Sequence, residues 1–308
     1  MDPRRIAGLL DAPGCRRRLA VDVSGIEPAV LAAAVGAAEG GQSPYARERD
    51  GTFAQLALAR LPELAARHLG VRAEAVVETD ELPSGAGLWS WRAPKLRLGD
   101  TDLTVDRVLL VGDGTRLHPI ETRSYACLDG QADPTKVAGT ARELAVTVAA
   151  LRQAADEPDQ VSSACLLVLP RNFGLNPVGT TLDVAPQLRR LRWVLDRLNA
   201  GTDRISAALE GPELVGALGR VPARFGDGCP SCAVYPYCRG DAEQSGAAAR
   251  AGATVANLCG PVGLAADALA LAHGDRVPGD ETEHAIATEL SRAALAYTQA
   301  KTRSQEPS

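Results

Sequence analysis

Three cysteines, Cys229, Cys232 and Cys238, lie within ten residues of one another in the segment GCPSCAVYPYC. Thiolates are strong ligands for zinc and for iron–sulfur clusters, and such sites commonly use four of them. A CxxC pair places two sulfurs on one turn, where neighbouring backbone N–H groups can donate hydrogen bonds to them. The segment therefore predicts a metal centre that lacks one ligand, and its spacing is compatible with either zinc or an iron–sulfur cluster.

The missing ligand has four candidates, which are Cys15, Cys127, Cys165 and Cys259. Cys165 lies inside the apolar run SACLLVLP and is expected to be a small buried hydrophobe. Cys127 follows an acid-bearing strand and is expected near that strand instead. Cys15, in a turn that enters a helix, and Cys259, in NLCGP, both remain possible as the fourth ligand.

A second constellation consists of acids in two predicted neighbouring strands, TVDRVLLVGDG and LHPIETRSYA. Asp106 and Glu121 could converge on Mg²⁺ or Mn²⁺, with the Thr122 carbonyl as a further oxygen ligand. Arg123 projects to the same face as Glu121, because residues i and i+2 of a strand do so. A divalent ion beside a cation can hydrolyse a phosphodiester. The alternative is a Glu–Arg pair on a solvated sheet face.

Three consecutive arginines, Arg16, Arg17 and Arg18, follow Cys15 directly and could contact the phosphates of DNA. The whole chain has 33 Lys and Arg against 38 Asp and Glu, which gives a formal net charge of −5. Such a balance excludes a globally basic nucleic-acid binder, so any contact with DNA requires a local patch of this kind.

The composition is that of an ordinary globular protein, with 45% hydrophobic residues in 308. No uninterrupted apolar run reaches about 18 residues, which predicts neither a transmembrane helix nor a signal peptide. The odd number of cysteines, with three clustered, argues against a secreted disulfide scaffold. We therefore expect a cytoplasmic protein that has no membrane partner.

The elements that must position these residues follow one another as helices, a group of strands, a helix, a strand and further helices. An amphipathic helix ends at Gly70, and a long helix is predicted over 134–153. This order predicts an α/β fold. We expect an N-terminal helical part over 1–70, a core over 71–200 and a C-terminal helical part over 201–308, within one compact domain.

The segment VDRVLLVGDGTRLHPIETRSY resembles the core of the PD-(D/E)xK nuclease fold, with Asp106 in the D position and Glu121, Thr122 and Arg123 in the ExK position. The cysteines after this core, with PGCRRRLA before it, resemble those of the iron–sulfur RecB-like exonucleases. That group includes the CRISPR-associated RecB-like nuclease and the AddB-type enzymes, in which one early and three late cysteines hold a 4Fe–4S cluster.

The resemblance implies a restriction-endonuclease-like core, a mixed sheet flanked by helices, with the helical N- and C-terminal parts joined by the cluster. It selects Cys15 as the partner of Cys229, Cys232 and Cys238, and it implies Mg²⁺ or Mn²⁺ at the acids. The implied function is DNA binding and metal-dependent cleavage in prokaryotic defence, CRISPR-type or repair processing. The implied partners are single-stranded DNA or duplex ends, and other defence or helicase subunits.

The chain departs from the family pattern at several positions. Arginine stands in place of the ExK lysine, and it is a planar, permanently charged fork that could clamp a phosphate bidentately. The family's helix glutamine and tyrosine fall at Glu143 and Thr147, and its early acid falls at Ala54. Glu143 or Gln55 could complete the metal shell. These departures favour an alternative function, a DNA-binding or scaffold subunit of a defence complex without strong catalysis.

Overall fold

A mixed six-stranded sheet forms the centre of the first of two units into which the chain divides. The structure is a computed structural model that describes residues 2–12, 14–24, 26–36, 43–198, 214–225, 228–229, 232–251 and 253–305. The first unit consists of residues 1–10 and 40–202, and the second of residues 11–39 and 203–308.

The described helices are, in chain order, α1 (Pro3–Asp11), α2 (Arg16–Val23), α3 (Pro28–Ala34), α4 (Pro44–Leu69), α5 (Pro134–Ala154), α6 (Ala185–Leu198), α7 (Leu214–Arg220), α8 (Tyr235–Gln244), α9 (Ala253–Cys259), α10 (Ala265–His273) and α11 (Glu281–Gln305). The strands are β1 (Val76–Thr79), β2 (Ala86–Arg92), β3 (Leu96–Leu98), β4 (Thr101–Leu103), β5 (Arg107–Asp113), β6 (Leu117–Thr122), β7 (Cys127–Leu128), β8 (Gln131–Ala132), β9 (Ala164–Pro170) and β10 (Pro177–Asp183).

The large sheet has the strand order β1-β2-β5-β6-β9-β10. Strands β2, β5 and β6 are antiparallel neighbours, whereas β6 and β9 run parallel and are connected through α5. In the register of β5 with β6, Leu109 lies opposite Ile120. The central strands β5 and β9 are buried along most of their length, as expected for apolar runs that are covered on both faces.

Helix α4 covers one face of this sheet. Phe53, Ala57, Leu61 and Leu64 pack with sheet residues that include Ile120. Gly70 follows the helix in the left-handed conformation, with φ 70°, where a glycine lacks the steric penalty of a Cβ. The predicted end of the helix at Gly70 is thus confirmed, and α4 packs in the same unit as the strands.

Helix α5 lies on the opposite face of the sheet. Its N-terminus is capped by Asp133, whose side chain accepts hydrogen bonds from the backbone N–H groups of Thr135 and Lys136. The helix extends to Ala154, one residue beyond the predicted range, and its buried face includes Leu144 and Val148. The α/β class, with a mixed sheet flanked by helices, is confirmed.

The second unit is built from two segments that are far apart in the sequence. Ala20, Val21 and Leu31 of the first segment share a core with three buried residues of the second segment, Ala217, Leu218 and Val234. A separate core in the second segment holds α9, α10 and α11 together. None of the helices in the described parts of the chain is both long enough and apolar enough to cross a bilayer.

Truncating the centre of the sheet is expected to destabilise the first unit. Leu110 of β5 has 0% of its surface exposed, so Leu110→Ala should lower the free energy of unfolding by about 2–5 kcal/mol. Val77→Ala is the matched control, because Val77 on β1 is 57% exposed and its truncation should change stability by less than about 0.5 kcal/mol. Urea denaturation of both variants measures the difference. Equal losses would contradict the central placement of β5.

Candidate functional site

Strand β6 directs Glu121 and Arg123 away from α4. Side chains alternate along a strand, and Ile120 packs into the core with α4. Glu121 and Arg123 therefore project towards the other face, where Glu143 of α5 lies. Extending the β5–β6 register beyond its last pair places residue 106 opposite residue 123.

Asp106 occupies a position different from the one expected. The sequence placed it within a strand, but it lies exposed in a bend directly before β5 begins at Arg107. An acid in a buried strand would have to be desolvated, and the bend avoids that penalty. Asp106, Glu121, Arg123 and Glu143 nevertheless line one open cavity of about 400 Å³.

Arg123 joins the two glutamates of this cavity. Its Nε lies 3.0 Å from Glu121 Oε1, and its Nη2 donates a hydrogen bond to Glu143 Oε2. Arg4, near the start of α1, lies with its Nε 3.5 Å from the same Glu143 oxygen. The result is a chain of alternating charges, Glu121–Arg123–Glu143–Arg4, whose formal charges cancel.

The surroundings of Glu121 disfavour its charge. Burial raises the pKa of this carboxyl, and the nearby Glu143 carboxylate adds to the effect, while Arg123 and Arg4 oppose it. Burial lowers the pKa of Arg123, but Glu121 and Glu143 outweigh that loss and raise it overall. Arg123 Nε is buried without a hydrogen-bond partner in the described structure, so its pairing with Glu121 is mainly electrostatic.

The donor set of the cavity suits a hard divalent cation. Mg²⁺ is typically held by one or two carboxylates together with waters and substrate phosphates. Asp106 and Glu121 can supply the carboxylates, and Thr122 follows Glu121 in β6, where it pairs with Val168 of β9. Among the described residues no three His, Cys, Asp or Glu side chains surround a single ion position. The residues thus fit an ion with at most two carboxylate ligands, which must compete with Arg123 for Glu121.

Other residues named in the sequence analysis lie inside or outside this cavity. Glu143 and Thr147, at the positions of the family's helix glutamine and tyrosine, line it. Gln55 is exposed on α4, which packs on the other face of the sheet, so it cannot complete a shell around Glu121. Arg4 was missed by the sequence analysis, because its distance along the chain from Glu143 leaves no local signal.

The second candidate site is a cavity in the second unit, whose lining includes Cys15, Cys229, Cys232 and Cys238. The cavity has a volume of about 20 Å³. Cys15 caps the N-terminus of α2, and its Sγ accepts hydrogen bonds from the backbone N–H groups of Arg18 and Arg224, each at 3.4 Å. The structure therefore brings the early cysteine and the late three together.

The turn between Cys229 and Cys232 is closed by a hydrogen bond of 2.9 Å from the Cys232 N–H to the Cys229 carbonyl. Cys238 follows in the first turns of α8, and its N–H donates to the Val234 carbonyl. Burial raises the pKa of Cys232 to about 11. It also raises the pKa of Cys238, although the hydrogen bond from Arg17 opposes the rise. Binding of a metal would remove these protons, since thiolates are the ligating form.

The remaining cysteines lie elsewhere. Cys165 is buried in β9, and burial raises its pKa to about 12, as expected for a structural thiol. Cys259 is buried in a core with Val262 and Ile286 and does not line the cysteine cavity. Cys127 lies in the short strand β7.

The three consecutive arginines differ in their exposure. Arg16 is exposed, but Arg17 and Arg18 are buried, with 3% and 6% of their surfaces accessible. Arg18 donates to the Gly228 carbonyl and pairs with Asp22 at 3.2 Å, and Arg17 is bonded within the unit as well. The expected role of Arg17 and Arg18 in contacting DNA is corrected here, because neither guanidinium group reaches the surface. Arg16 is exposed, and its expected contact with DNA stays a prediction.

Removing the cation between the two glutamates should destabilise the first unit. Arg123→Met is expected to lower the free energy of unfolding at neutral pH by roughly 1–3 kcal/mol, because two partly buried carboxylates lose their partner. The folded-state pKa of Glu121 is already raised and should rise further. The loss should therefore shrink as the pH falls and Glu121 becomes protonated.

Urea denaturation at several pH values measures this effect. Arg67→Met is the control, since the Arg67–Glu63 pair on α4 is exposed and its loss should change stability by less than about 1 kcal/mol. A loss of stability in Arg123→Met that is the same at every pH would contradict the coupling to Glu121.

The chain matches no family model, no curated protein and no solved structure. Two features of the described structure bear on its chemistry. One is the cavity with the alternating Glu121–Arg123–Glu143–Arg4 chain, and the other is the cavity whose lining includes four cysteines.

Proposed function

We propose that the chain is a DNA-binding, metal-dependent deoxyribonuclease of the PD-(D/E)xK type whose second unit carries a 4Fe–4S cluster. The observation that carries the proposal is the convergence of four cysteines on one cavity, one of them from residue 15 and three from residues 229–238. This is the ligand pattern that the resemblance to the iron–sulfur RecB-like nucleases implies.

The choice of a cluster over a single zinc ion rests on the resemblance. The spacing of the four cysteines is compatible with a Cys₄ zinc site as well. The resemblance to the iron–sulfur RecB-like nucleases, with one early and three late cysteines, favours the 4Fe–4S cluster.

In the proposed active site, Asp106 and Glu121 hold Mg²⁺ or Mn²⁺ with the assistance of the Thr122 carbonyl. The divalent ion supplies Lewis acidity towards a phosphate oxygen and activates water. Arg123 takes the place of the family's lysine and binds the phosphate through its planar fork. Arg4 remains beside Glu143 and so compensates that carboxylate when Arg123 turns to the substrate.

The proposed substrate is DNA, as single strands or duplex ends, in cytoplasmic defence, CRISPR-type or repair processing, together with other defence or helicase subunits. The exposed Arg16 is the one member of the arginine triplet that can contact phosphate. These assignments are supported by the resemblance and by the cavity that holds Asp106, Glu121 and Arg123.

A second candidate function is a DNA-binding or scaffold subunit that cuts weakly or not at all. One observation favours it, which is that Arg123 already engages both Glu121 and Glu143. Metal binding at Glu121 then requires an ion pair to be exchanged. A lysine is a compact point charge and cannot span two carboxylates with a rigid fork as arginine does.

A cleavage assay with Mn²⁺ distinguishes the two functions. We expect cleavage of single-stranded or duplex-end DNA that falls by about 100-fold or more in Glu121→Gln, because the ion loses a charged ligand. Glu63→Gln on α4 is the matched control and should cleave like the wild type, since Glu63 is on the surface. Retained cleavage in Glu121→Gln would contradict the proposed active site.

Arg123→Lys separates a weakened nuclease from a scaffold. If the ion pairs of Arg123 limit metal binding, the lysine variant should cleave several-fold faster than the wild type. DNA binding without cleavage in both proteins would favour the scaffold function instead.

The metal content tests the cysteine site. Anaerobically purified protein should be brown and contain about four iron atoms per chain. Cys15→Ser should lose the iron, whereas Cys259→Ser should keep it, because Cys259 does not line the cavity. A colourless protein with one zinc would rule out the cluster.

A further inference from the structure

Arg17 is an arginine in the interior of the second unit, two residues after Cys15. It lies in the first turn of α2, and 3% of its surface is accessible. A buried charge is unfavourable unless it is paired and hydrogen-bonded. The partners of this guanidinium group therefore indicate what the residue does.

The guanidinium group of Arg17 reaches a cysteine of the proposed site. Its Nη1 donates a hydrogen bond of 3.2 Å to Cys238 Sγ, and its Nε donates one of 2.9 Å to the Val221 carbonyl. The ring centroid of Tyr237 lies 5.3 Å from the guanidinium carbon. The backbone N–H of Arg17 donates to the Pro222 carbonyl at 3.0 Å, so both ends of the residue are held.

These contacts orient the donor that faces the sulfur. The guanidinium group is planar and rigid, so its hydrogen bond to Val221 and its packing on Tyr237 also set the direction of Nη1. Cys238 in turn is held by α8, through its N–H bond to Val234. The sulfur and its donor thus meet in one defined geometry.

The charge of Arg17 is only partly balanced by carboxylates. Asp241 Oδ2 lies 3.7 Å from Nη1, but the side chain of Asp241 is 58% exposed, and solvent screens such a partner. A negatively charged sulfur at 3.2 Å, inside the unit, would be a closer counter-charge. A ligating thiolate at position 238 would therefore complete the charge balance of Arg17.

Two sulfurs of the site, those of Cys15 and Cys238, receive different kinds of donor. Cys15 Sγ accepts from backbone N–H groups of Arg18 and Arg224, which remain whatever the side chains are. Cys238 Sγ accepts from the side chain of Arg17. Substitution of Arg17 therefore removes one N–H···S bond and one positive charge without altering a ligand.

We infer that Arg17 is a positioning residue of the cysteine site, which orients Cys238 and stabilises the negative charge of its ligating sulfur through a charged N–H···S hydrogen bond. The inference rests on the proposed metal centre and adds to it a residue outside the ligand set. It also accounts for the burial of a residue that the sequence assigned to DNA contacts. Hydrogen bonds to the sulfurs and nearby charge are the means by which a protein tunes such a centre.

The test compares Arg17→Gln, Arg17→Lys and the control Arg16→Gln, in which the neighbouring exposed arginine is changed. Iron content, the rate of iron loss to a chelator under anaerobic conditions and the visible circular dichroism spectrum are measured. Arg17→Gln should lose iron about tenfold faster than the wild type and its sulfur-to-iron charge-transfer bands should shift. Arg16→Gln should match the wild type in all three measurements.

Arg17→Lys keeps the positive charge but not the planar guanidinium fork. Its rate of iron loss should therefore lie between those of Arg17→Gln and the wild type. The spectrum separates positioning from mere support of the fold, because a structural residue alters the unfolding temperature without altering the bands of loaded protein. If Arg17→Gln does not fold, the iron-loss rate and the spectrum of Arg17→Lys are compared with those of the wild type instead. A spectrum and release rate equal to those of the wild type in every folded Arg17 variant would overturn the inference.

The outcome for Arg17 can be separated from the outcome for the cluster. Wild-type protein without iron defeats the cluster proposal, and the same variants are then loaded with Co²⁺, whose thiolate bands report the same hydrogen bond. A shift confined to the Arg17 variants would sustain the role of Arg17 with a different metal. Wild-type protein that binds neither iron nor Co²⁺ through its cysteines would overturn both.

Discussion

A charge that leaves water must find a counter-charge, and this constraint shapes both candidate sites. In the first unit, Glu121 is partly desolvated behind α5, and it is accompanied by Arg123, Glu143 and Arg4 in alternating order. In the second unit, the interior arginine Arg17 is accompanied by the Val221 carbonyl, the Cys238 sulfur and the carboxylate of Asp241. The low local dielectric makes each pairing stronger than it would be at the surface, and each missing partner more harmful.

The acidic cavity shows what the planar fork of an arginine does between two glutamates. A lysine beside Glu121 would present a single compact charge, whereas the fork of Arg123 reaches Glu121 and Glu143 together. Glu143 on α5 and Arg123 therefore belong to the same network of ion pairs. The ion pairs of Arg123 with the two glutamates stabilise the fold near the end of β6. The same ion pairs would have to be broken before a divalent ion could bind Glu121, so they would lower its affinity. Under the proposed function, the stability of the fold and the affinity for a divalent ion would therefore be opposed in this cavity.

Local patterns in the sequence predicted the elements well. The end of α4 at Gly70 and the span of α5 follow from apolar periodicity, capping and glycine conformation, all of which act over a few residues. The shared face of Glu121 and Arg123 follows from strand alternation. Predictions failed where a side chain is placed by distant segments. Arg4 reaches Glu143, and Arg17 and Arg18 are buried against residues more than two hundred positions away.

The second unit poses a folding problem that the proposed metal centre would solve. Its two segments, residues 11–39 and 203–308, are separated along the sequence by residues 40–202, which belong to the first unit. Bringing the two segments together therefore costs the entropy of closing a very long loop. The shared core has few fully buried residues, so its burial gives limited stabilisation. These residues are Ala20, Val21, Leu31, Ala217, Leu218 and Val234. Ligands drawn from both segments would couple metal binding to closure. The hydrogen bonds of α2 with the Val221 and Gly228 carbonyls already align the segments. The proposed metal centre would then add metal–sulfur bonds between the two segments to the hydrogen bonds that Arg17 and Arg18 already make.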